Sequence, residues 1–324
     1  MPIISIIIPI YNDIDFIRAC LDSVIRQTFE DWECILVDDG SYDGTAELCD
    51  TYAVQDARFK VFHQINKGVS SARNKGIREM SGSIVTFVDA DDYIEPRYLE
   101  KMYFALGDAD LVLSGQIREF NDGSTKLLTP TIADRFKITT ESADKIVSLE
   151  DKLLLFAPHE RLFRSAIINK NNLSFLEDCA FGEDLVFNYN YLNYCQSISV
   201  IPEALYHYRI NEDGLSAAFR PNQFEQDYSQ WRIIRDFHKN KRLWNENVEK
   251  YLAKRLWGIV YDGIFLYQKL DTPTHKYIKR ILSIPEIETL KMHSEVYYCS
   301  WWIKECILRR WYYAFYLFFK IIKR

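Results

Sequence analysis

The chain has 324 residues, enough for one large domain or two ordinary ones. A hydrophobic fraction of 48% and a charged fraction of 27% exclude a disordered chain, and a net charge of −6 gives no support for a nucleic-acid partner. Seven cysteines without CxxC spacing exclude a disulfide framework and a zinc site, and they indicate a reducing compartment, so we expect a cytoplasmic protein.

The N-terminus is apolar from Ile3 but has no basic segment before it and reaches Pro9 quickly. This pattern predicts a first strand instead of a signal peptide. No window approaches 18 to 20 uninterrupted apolar residues, so we expect no transmembrane helix.

Predicted strands and helices alternate over the first hundred residues. Strands are predicted at residues 3–10, 32–37, 59–62 and 83–88, and helices at about 14–25, 45–57 and 70–78. Asp13 is expected to cap the first helix. This alternation predicts a mostly parallel α/β sheet that binds its ligands at the carboxyl ends of the strands.

The pattern is less regular after Pro96. It predicts a helix at about 97–106, a strand at 110–114 and a hairpin of residues 116–120 and 125–128 around Asn121-Asp122-Gly123-Ser124. A helix at 183–194 and a strand at 206–210 follow. From about residue 219 onward the pattern is helical.

Three carboxylates directly follow the predicted fourth strand: Asp89, Asp91 and Asp92. Unpaired carboxylates repel one another and are costly to bury, and a divalent cation removes both problems. Since Mg²⁺ and Mn²⁺ prefer oxygen ligands, we interpret Asp89 and Asp91 as a metal–diphosphate site. The alternative is a solvated turn in which Asp92 caps the next helix.

Five motifs occur in order along the chain. They are Pro9-Ile10-Tyr11-Asn12, the segment Val37 to Thr45 beginning Val-Asp-Asp-Gly-Ser, the segment Asn66 to Gly76, Phe87-Val88-Asp89-Ala90-Asp91-Asp92, and Phe181-Gly182-Glu183-Asp184. The series closely resembles glycosyltransferase family 2, inverting enzymes of the GT-A fold that use nucleotide-diphospho-sugars, of the bacterial surface-polysaccharide type. The resemblance is specific over residues 3–110 and moderate to about 216.

The resemblance implies a Rossmann-like, mostly parallel sheet flanked by helices. We therefore expect a GT-A catalytic domain at residues 1–217, with a nucleotide-sugar half at about 1–115 and an acceptor half at about 116–217. Residues 218–324 are expected to form a helical C-terminal region.

The resemblance also implies which residues hold the nucleotide. Pro9 and Tyr11 would lie at the base, where the Tyr11 ring suits stacking on a pyrimidine, and Asp39 would accept the uracil N–H. Arg73 would lie near the base and the diphosphate. The alternatives are a rim aromatic for Tyr11, an Asx-turn for Asp39, and a salt bridge from Arg73 to Asp39 or Asp89.

The acidic turn resembles the DxD motif of the family. Asp91 would then bind Mn²⁺ or Mg²⁺ directly, Asp89 would reach the ribose or the metal, and Ala90 would let the backbone approach the nucleotide. Asp92 is more often structural at this position.

The remaining implied residues serve the acceptor or a lid. Asp184 of the Glu183-Asp184 pair would be the catalytic base, and Glu183 would bind the acceptor. Two carboxylates at a helix start are also what the helix dipole favours. His207, Arg209 and Ser216 are candidate diphosphate contacts on a strand and lid, although a lone histidine on a strand is more often a core or rim residue.

The resemblance implies a nucleotide-sugar donor and a saccharide or lipid-linked saccharide acceptor, with UDP preferred because of Tyr11 and Asp39. A nucleotidyltransferase would show a Gly-rich basic loop after the first strand, and this chain has Ile10-Tyr11-Asn12-Asp13 there. A regulatory subunit that only binds a sugar nucleotide is the other alternative.

The last 26 residues, 299–324, combine aromatic and basic side chains and carry a net charge of +5, against −11 for the rest of the chain. On a continuous helix, Ile307, Trp311, Ala314, Phe318 and Ile322 would share one face. This pattern predicts a helix lying on an anionic membrane surface, which would place the protein on the inner face of the cell membrane. The alternative is a helix docked on protein.

Overall fold

The computed structural model of the protein describes residues 2–178, 181–210, 220–266, 275–292, 301–311 and 313–315. Two compact units make up the chain, Met1–Gly214 and Leu215–Arg324. The boundary expected after residue 217 falls in the segment 211–219, outside the described residues.

The first unit is a mixed α/β structure. Its strands are β1 Ile4–Ile10, β2 Trp32–Asp38, β3 Phe59–His63, β4 Ile84–Phe87, β5 Tyr93–Ile94, β6 Leu111–Glu119, β7 Thr125–Leu128, β8 Arg135–Lys137, β9 Arg161–Arg164 and β10 Ser197–Arg209. Its helices are α1 Ile17–Ile25, α2 Thr45–Gln55, α3 Val69–Glu79, α4 Tyr98–Leu106, α5 Ala143–Asp151, α6 Ser165–Lys170 and α7 Glu183–Tyr194.

The described strands form one sheet in the order β3-β2-β1-β4-β9-β6-β10-β5, with β7 beside β6 and β8 beside β10. The four strands β3, β2, β1 and β4 are mutually parallel, and β6 is parallel to β10. Every residue of β1 and β2 is buried, as expected for apolar strands covered by helices on both faces. The carboxyl ends of β1, β2 and β4 therefore meet at one edge of the sheet.

The GT-A-type α/β fold expected from the sequence is confirmed, as is the hairpin, in which β6 and β7 pair from Gln116↔Leu128 to Glu119↔Thr125. The sequence did not predict strands β5, β8 and β9 or helices α5 and α6, and it placed the start of the last strand too late. The short strand β9, Arg161–Arg164, inserts antiparallel between β4 and β6. The last strand begins at Ser197, nine residues before its expected start.

The expected cap at Asp13 is wrong. The first helix begins at Ile17, its N-cap residue is Phe16, and no side chain caps it. The Asp13 carboxylate instead accepts a 3.0 Å hydrogen bond from the backbone N–H of Tyr11. Its side chain is therefore held at the strand edge.

The second unit is helical over its described residues, with α8 Gln223–Asn240, α9 Glu246–Leu266, α10 His275–Leu282, α11 Ile287–Met292 and α12 Trp301–Leu308. No helix in the described part of the chain is long and apolar enough to cross a membrane.

The prediction of a continuous helix over residues 299–324 is wrong, because the helix is interrupted near residue 310. Helix α12 ends at Leu308, and Arg310 has a left-handed backbone with φ of 57°. Backbone N–H groups of Arg310 and Trp311 bond back to the carbonyls of Ile307 and Cys306, which closes the helix. Ile307 therefore cannot continue one helical face into residue 314, and residues 312 and 316–324 lie outside the described residues.

Candidate active site

The Tyr11-Asn12 turn follows β1 directly. Asn12 has a left-handed φ of 56°, a conformation that Asn tolerates better than most residues. Its amide oxygen accepts a 2.9 Å hydrogen bond from the N–H of Tyr42, and its own N–H donates to Ser41. These bonds hold the Tyr11 side chain at the edge, where it is 45% exposed. Pro9 lies inside β1 and is buried, paired with Val37 of β2.

Asp39 orders the loop that precedes α3. Its carboxylate accepts hydrogen bonds of 2.7 Å from the Gln64 side chain and of 2.9 and 2.7 Å from the backbone N–H groups of Lys67 and Gly68. Since a carboxylate offers about four acceptor positions, one remains for a base N–H. The Asx-type bond expected of Asp39 is made by Asp38, which accepts from the N–H of Ser41.

The backbone conformation of the residue after Asp39 requires glycine at that position. Gly40 has φ of +83°, and a Cβ there would lie 3.1 Å from the backbone nitrogen of Asn66. A side chain would therefore both strain the turn and push away the loop that Asp39 orders.

Arg73 lies at the centre of the site, on the first turns of α3. Its guanidinium donates a 2.6 Å hydrogen bond to Asp184 and a 2.8 Å bond to Asp89, and it lies 3.6 Å from Glu183. The side chain is only 4% exposed. The expected bridge to Asp89 is present, and Asp184 is a partner that the sequence did not suggest.

Close packing of α3 on β1 holds Arg73 in place. A Cβ at Gly76 would overlap the side chain of Ile7, so α3 approaches the strand this closely only with glycine there. Gly76 lies one turn after Arg73, and Phe175 covers the guanidinium with its ring 5.2 Å away. The orientation of the cation is therefore fixed by the core.

The acidic turn after β4 contains two kinds of carboxylate. Asp89 is paired with Arg73, whose charge, against the effect of burial, keeps the pKa of Asp89 below its usual range. Burial, with the charges of Asp89 and Asp13, raises the pKa of Asp91 to about 6. Burial, with Asp43 and Asp89 nearby, likewise raises the pKa of Asp13 to about 6.

Asp92 is structural. It is fully buried, and it accepts a 2.7 Å hydrogen bond from the Tyr206 hydroxyl and a 2.8 Å bond from the N–H of Arg209. Tyr206 also accepts a 3.1 Å bond from the N–H of Asp89. Asp92 therefore ties the acidic turn to β10. Ala90 is 4% exposed and packs into the core below the turn.

Glu183 and Asp184 begin α7, after Gly182 in a left-handed conformation with φ of 91°. The Asp184 side chain is 29% exposed, so it reaches the cleft while it bonds to Arg73. Burial raises the pKa of Asp184 to about 7; Arg73 opposes this shift, and Glu183 and Asp89 add to it. A carboxyl with a pKa near neutrality suits a general base.

Three expected lid residues have different surroundings. His207 is held between two carboxylates, with its ring nitrogens 2.8 Å from Glu119 and 2.9 Å from Glu95. Neither nitrogen is thus left for a metal ion or a phosphate. Arg209 donates to the backbone carbonyl of Asp91 at 3.1 Å. Ser216 lies outside the described residues.

Sequence reasoning missed three residues of the site. Asp13 was interpreted as a helix cap, although its place two residues after Tyr11 at a strand end could have suggested the edge. His159 and Arg161 lie in the unpredicted β9 region and are buried. Burial lowers the pKa of His159 to about 3, so this residue is neutral, whereas the charge of Arg161 acts on Asp184.

The residues of the acidic turn fit a divalent cation. Asp91, with Asp13 and Asp89 nearby, forms an anionic group in which burial, together with the neighbouring carboxylates, raises the pKa values of Asp91 and Asp13. The described residues contain no cluster of three side chains already placed to hold a metal. The carboxylates of the acidic turn suit Mg²⁺ or Mn²⁺, because these ions take one or two carboxylates and complete their shell with substrate phosphates.

The strand order and the helices define a GT-A-type α/β fold, and comparison with known proteins agrees. The family model described as glycosyl transferase family 2 matches residues 5–171. The chain is 32% identical to the Bacillus subtilis glycosyltransferase EpsH over 77% of this chain and 72% of EpsH. It is 29% identical to EpsJ of the same organism over 91% and 87% of the two chains.

Among solved structures, Staphylococcus aureus TarS in complex with UDP-GlcNAc has the same fold, with a TM-score of 0.67 and 21% identity over 91% of this chain and 87% of TarS. The chain belongs to glycosyltransferase family 2, and it is a glycosyltransferase.

Proposed function

We propose that the protein is an inverting glycosyltransferase that moves a sugar from a UDP-sugar to a hydroxyl group of a saccharide. The observation that carries the proposal is the Arg73 bridge. One guanidinium holds the carboxylate of the acidic turn, Asp89, and the carboxylate at the start of α7, Asp184. Asp89, proposed to serve the sugar donor, and Asp184, proposed to serve the sugar acceptor, are thereby held by two nitrogens of one buried guanidinium.

The nucleotide half of the cleft supports a UDP donor. Tyr11 presents a half-exposed ring at the strand edge, which suits stacking on a flat base. Asp39 keeps one acceptor position beside the loop that it orders. The relative TarS is known with UDP-GlcNAc, and we extend that nucleotide to this chain.

Asp91 would hold the divalent cation, with Asp89 beside it. When bound, the cation would supply positive charge to the departing diphosphate. Arg73 contributes a fixed charge to the same region, and because it is buried and already oriented, it needs no reorganisation during transfer.

Asp184 would act as the base. Inversion requires the acceptor hydroxyl to attack the sugar from the side opposite the diphosphate and to lose its proton as it does so. The proton moves to the Asp184 carboxylate, whose pKa of about 7 leaves about half of it ionised at pH 7 and makes the ionised form basic enough to accept. An α-linked donor would give a β-linked product.

We propose an acceptor in surface-polysaccharide synthesis, a saccharide or lipid-linked saccharide at the inner face of the membrane. The basic and aromatic composition of residues 299–324 supports a membrane surface as partner. The burial of Ile307 and Phe315 supports the competing docked arrangement for part of this segment. A chain ending at residue 298 should lose binding to anionic liposomes, and equal binding would contradict the membrane proposal.

A thermal-shift panel of UDP-, GDP- and dTDP-sugars with Mn²⁺ tests the donor assignment. A ligand that binds only the native state raises the melting temperature. We expect the largest rise with a UDP-sugar and Mn²⁺ together, followed by UDP release in an assay. Binding without any UDP release, with every acceptor extract tried, would indicate a regulatory sugar-nucleotide-binding subunit.

A further inference from the structure

A polar wall lies beside the acidic turn on one face of β6 and β10. We define the Arg118 wall as Gln116 and Arg118 of β6, Tyr206 and Tyr208 of β10, and His159. Gln116 pairs with Tyr206 and Arg118 pairs with Tyr208 in the sheet register, so these four side chains share one face. Neighbouring residues of the two strands, Glu119 and His207 among them, point to the other face.

The wall is rigid and touches the proposed catalytic residues. The His159 ring stacks on Tyr206 at 4.7 Å and on Tyr208 at 5.5 Å. Tyr206 in turn bonds to Asp92 and to the backbone of Asp89. The wall is thus joined to the acidic turn through hydrogen bonds and ring stacking instead of through a mobile loop.

Arg118 supplies the positive charge of the wall, whereas the buried carboxylate next to the wall, Glu160, contacts His159. Among the described residues no carboxylate pairs with Arg118, its buried Nε has no hydrogen-bond partner, and its guanidinium lies 6.0 Å from the centre of the Tyr208 ring. Burial lowers the pKa of His159 to about 3, so His159 is neutral and adds no charge. The buried amide oxygen of Gln116 also lacks a partner among the described residues.

A half-buried cation with free donor groups, beside an aromatic surface, is suited to an anionic sugar. The donor diphosphate already has Arg73 and the acidic turn. Arg118 of β6 lies beside Tyr208, on which His159 stacks. The same strand, β6, pairs through Leu113 with Arg161, whose charge acts on Asp184. The wall therefore lies on the side of the base, where the acceptor must approach.

We propose that the Arg118 wall is an acceptor subsite for a saccharide that carries an anionic group, a phosphate or a carboxylate, with Arg118 as the residue that determines this specificity. The proposal rests on the proposed glycosyl transfer and names the acceptor class for it. The half-buried Tyr208 ring would contact the apolar face of the sugar, with the buried Tyr206 and His159 rings packed behind it, and Arg118 would donate to the anion.

Three probes share one sugar ring and separate the two anions: methyl β-D-glucoside, its 6-phosphate, and methyl β-D-glucuronide. Each is titrated calorimetrically into the full chain saturated with UDP and Mn²⁺, so that the nucleotide site is filled. We expect at least one charged probe to bind about tenfold or more tightly than the neutral glucoside, as hydrogen bonds to a charged group predict. The probe that gains identifies the anion.

Arg118→Gln should abolish the preference and leave UDP affinity unchanged. Lys137→Gln is the matched control, because Lys137 is exposed on β8 and pairs with Ser197, at the opposite end of β10 from Tyr208. Should Arg118→Gln not fold, Arg118→Lys keeps the charge and loses the planar donor pair, and we expect it to reduce the preference at least threefold.

Equal binding of all three probes would overturn the proposal, as would a preference that survives in the Arg118 variants or falls equally in Lys137→Gln. A chain that does not bind UDP in the first step would instead contradict the proposed function. The two failures are therefore distinguishable in one experiment.

Discussion

The guanidinium of Arg73 and the carboxylate of Asp184 are 111 positions apart in the chain and are joined by a 2.6 Å hydrogen bond. The second arm of the same guanidinium reaches Asp89 at 2.8 Å. This bridge connects the nucleotide half of the fold to the start of α7. The positive charge of Arg73 also offsets part of the repulsion among the three carboxylates around it, Asp89, Glu183 and Asp184.

Replacement of the proposed base tests its role in transfer. Asp184→Asn keeps the shape of the side chain but cannot accept the proton, so sugar transfer should fall by about 10²- to 10⁴-fold. UDP affinity with Mn²⁺ should stay within about threefold of the wild type. Initial rates of UDP release and a UDP titration measure the two quantities.

The control for that variant is Asp122→Asn, an isosteric change in the hairpin turn, where Asp122 accepts from the N–H of Ser124. Its transfer rate should equal that of the wild type. Transfer by Asp184→Asn at the wild-type rate would show that another group takes the proton.

The pH dependence of transfer follows from the same carboxyl. The folded-state pKa of Asp184 is about 7 and its ordinary value is 3.8, so the neutral form is favoured in the fold by burial and by Glu183 and Asp89, against Arg73 and Arg161. The stability that the neutral carboxyl contributes is lost as pH rises through 7, while the base becomes active.

We therefore expect kcat/KM for the UDP-sugar to rise about tenfold per pH unit below 7 and to level off above it. Rates at saturating Mn²⁺ from pH 5.5 to 8.5 measure this curve. A rate that does not change over that range, or that falls as pH rises through 7, contradicts the assignment.

Removal of the bridge should affect stability and pH dependence together. Arg73→Gln leaves Asp89 and Asp184 without their shared cation, and loss of one partner of a buried ion pair costs about 3–5 kcal/mol. The pKa of Asp184 should rise further, so the pH profile of residual activity should shift upward. Urea unfolding and the pH–rate curve measure the two effects.

The matched control removes an exposed arginine. Arg97 pairs only with Glu100 on the surface of α4, one turn away. Arg97→Gln should leave both the unfolding curve and the pH profile unchanged. If Arg73→Gln behaves like Arg97→Gln, the buried bridge has no energetic importance.

Asp91 and Asp92 are adjacent, yet their replacements should have opposite effects. Asp91→Asn relieves repulsion with Asp89 and Asp13, since the folded-state pKa of about 6 means that ionisation of Asp91 destabilises the fold above that pH. The melting temperature at pH 8 without metal should rise, and the increase in UDP affinity on adding Mn²⁺ should disappear.

Asp92→Ala removes the acceptor of the Tyr206 hydroxyl and of the Arg209 N–H, so it should lower the melting temperature at every pH. Melting curves at pH 6 and 8, with and without Mn²⁺, separate the two variants. A metal response that is lost in Asp92→Ala but retained in Asp91→Asn would reverse the assignment of roles.

The sequence predicted the parallel half of the fold well because apolar runs, turn glycines and helical periodicity coincide there. Helix α7 also begins and ends at the expected residues, Glu183 and Tyr194. The strand β9 was not predicted, since Arg161-Leu162-Phe163-Arg164 is short and has charged residues at both ends. Its pairing depends on β4 and β6, which are distant in the chain.

The site was predicted as a set of residues and not as a set of contacts. The order of the motifs identified five candidate site residues: Asp39, Arg73, Asp89, Asp91 and Asp184. No local pattern in the sequence shows that Arg73 bonds to Asp184. His207 illustrates the opposite case. The family resemblance suggested a metal or diphosphate contact, whereas Glu95 and Glu119, remote in sequence, hold both of its nitrogens.

The central claim is that the acidic turn holds a cation and a sugar nucleotide beside Asp184. A crystal structure with Mn²⁺ and UDP, with anomalous differences recorded at the manganese edge, tests it most directly. The account predicts a manganese peak on the Asp91 carboxylate, bridged to the diphosphate, with the uracil against Tyr11. Bound UDP with no manganese at Asp91, or manganese and UDP at a place remote from Arg73 and Asp184, would contradict it.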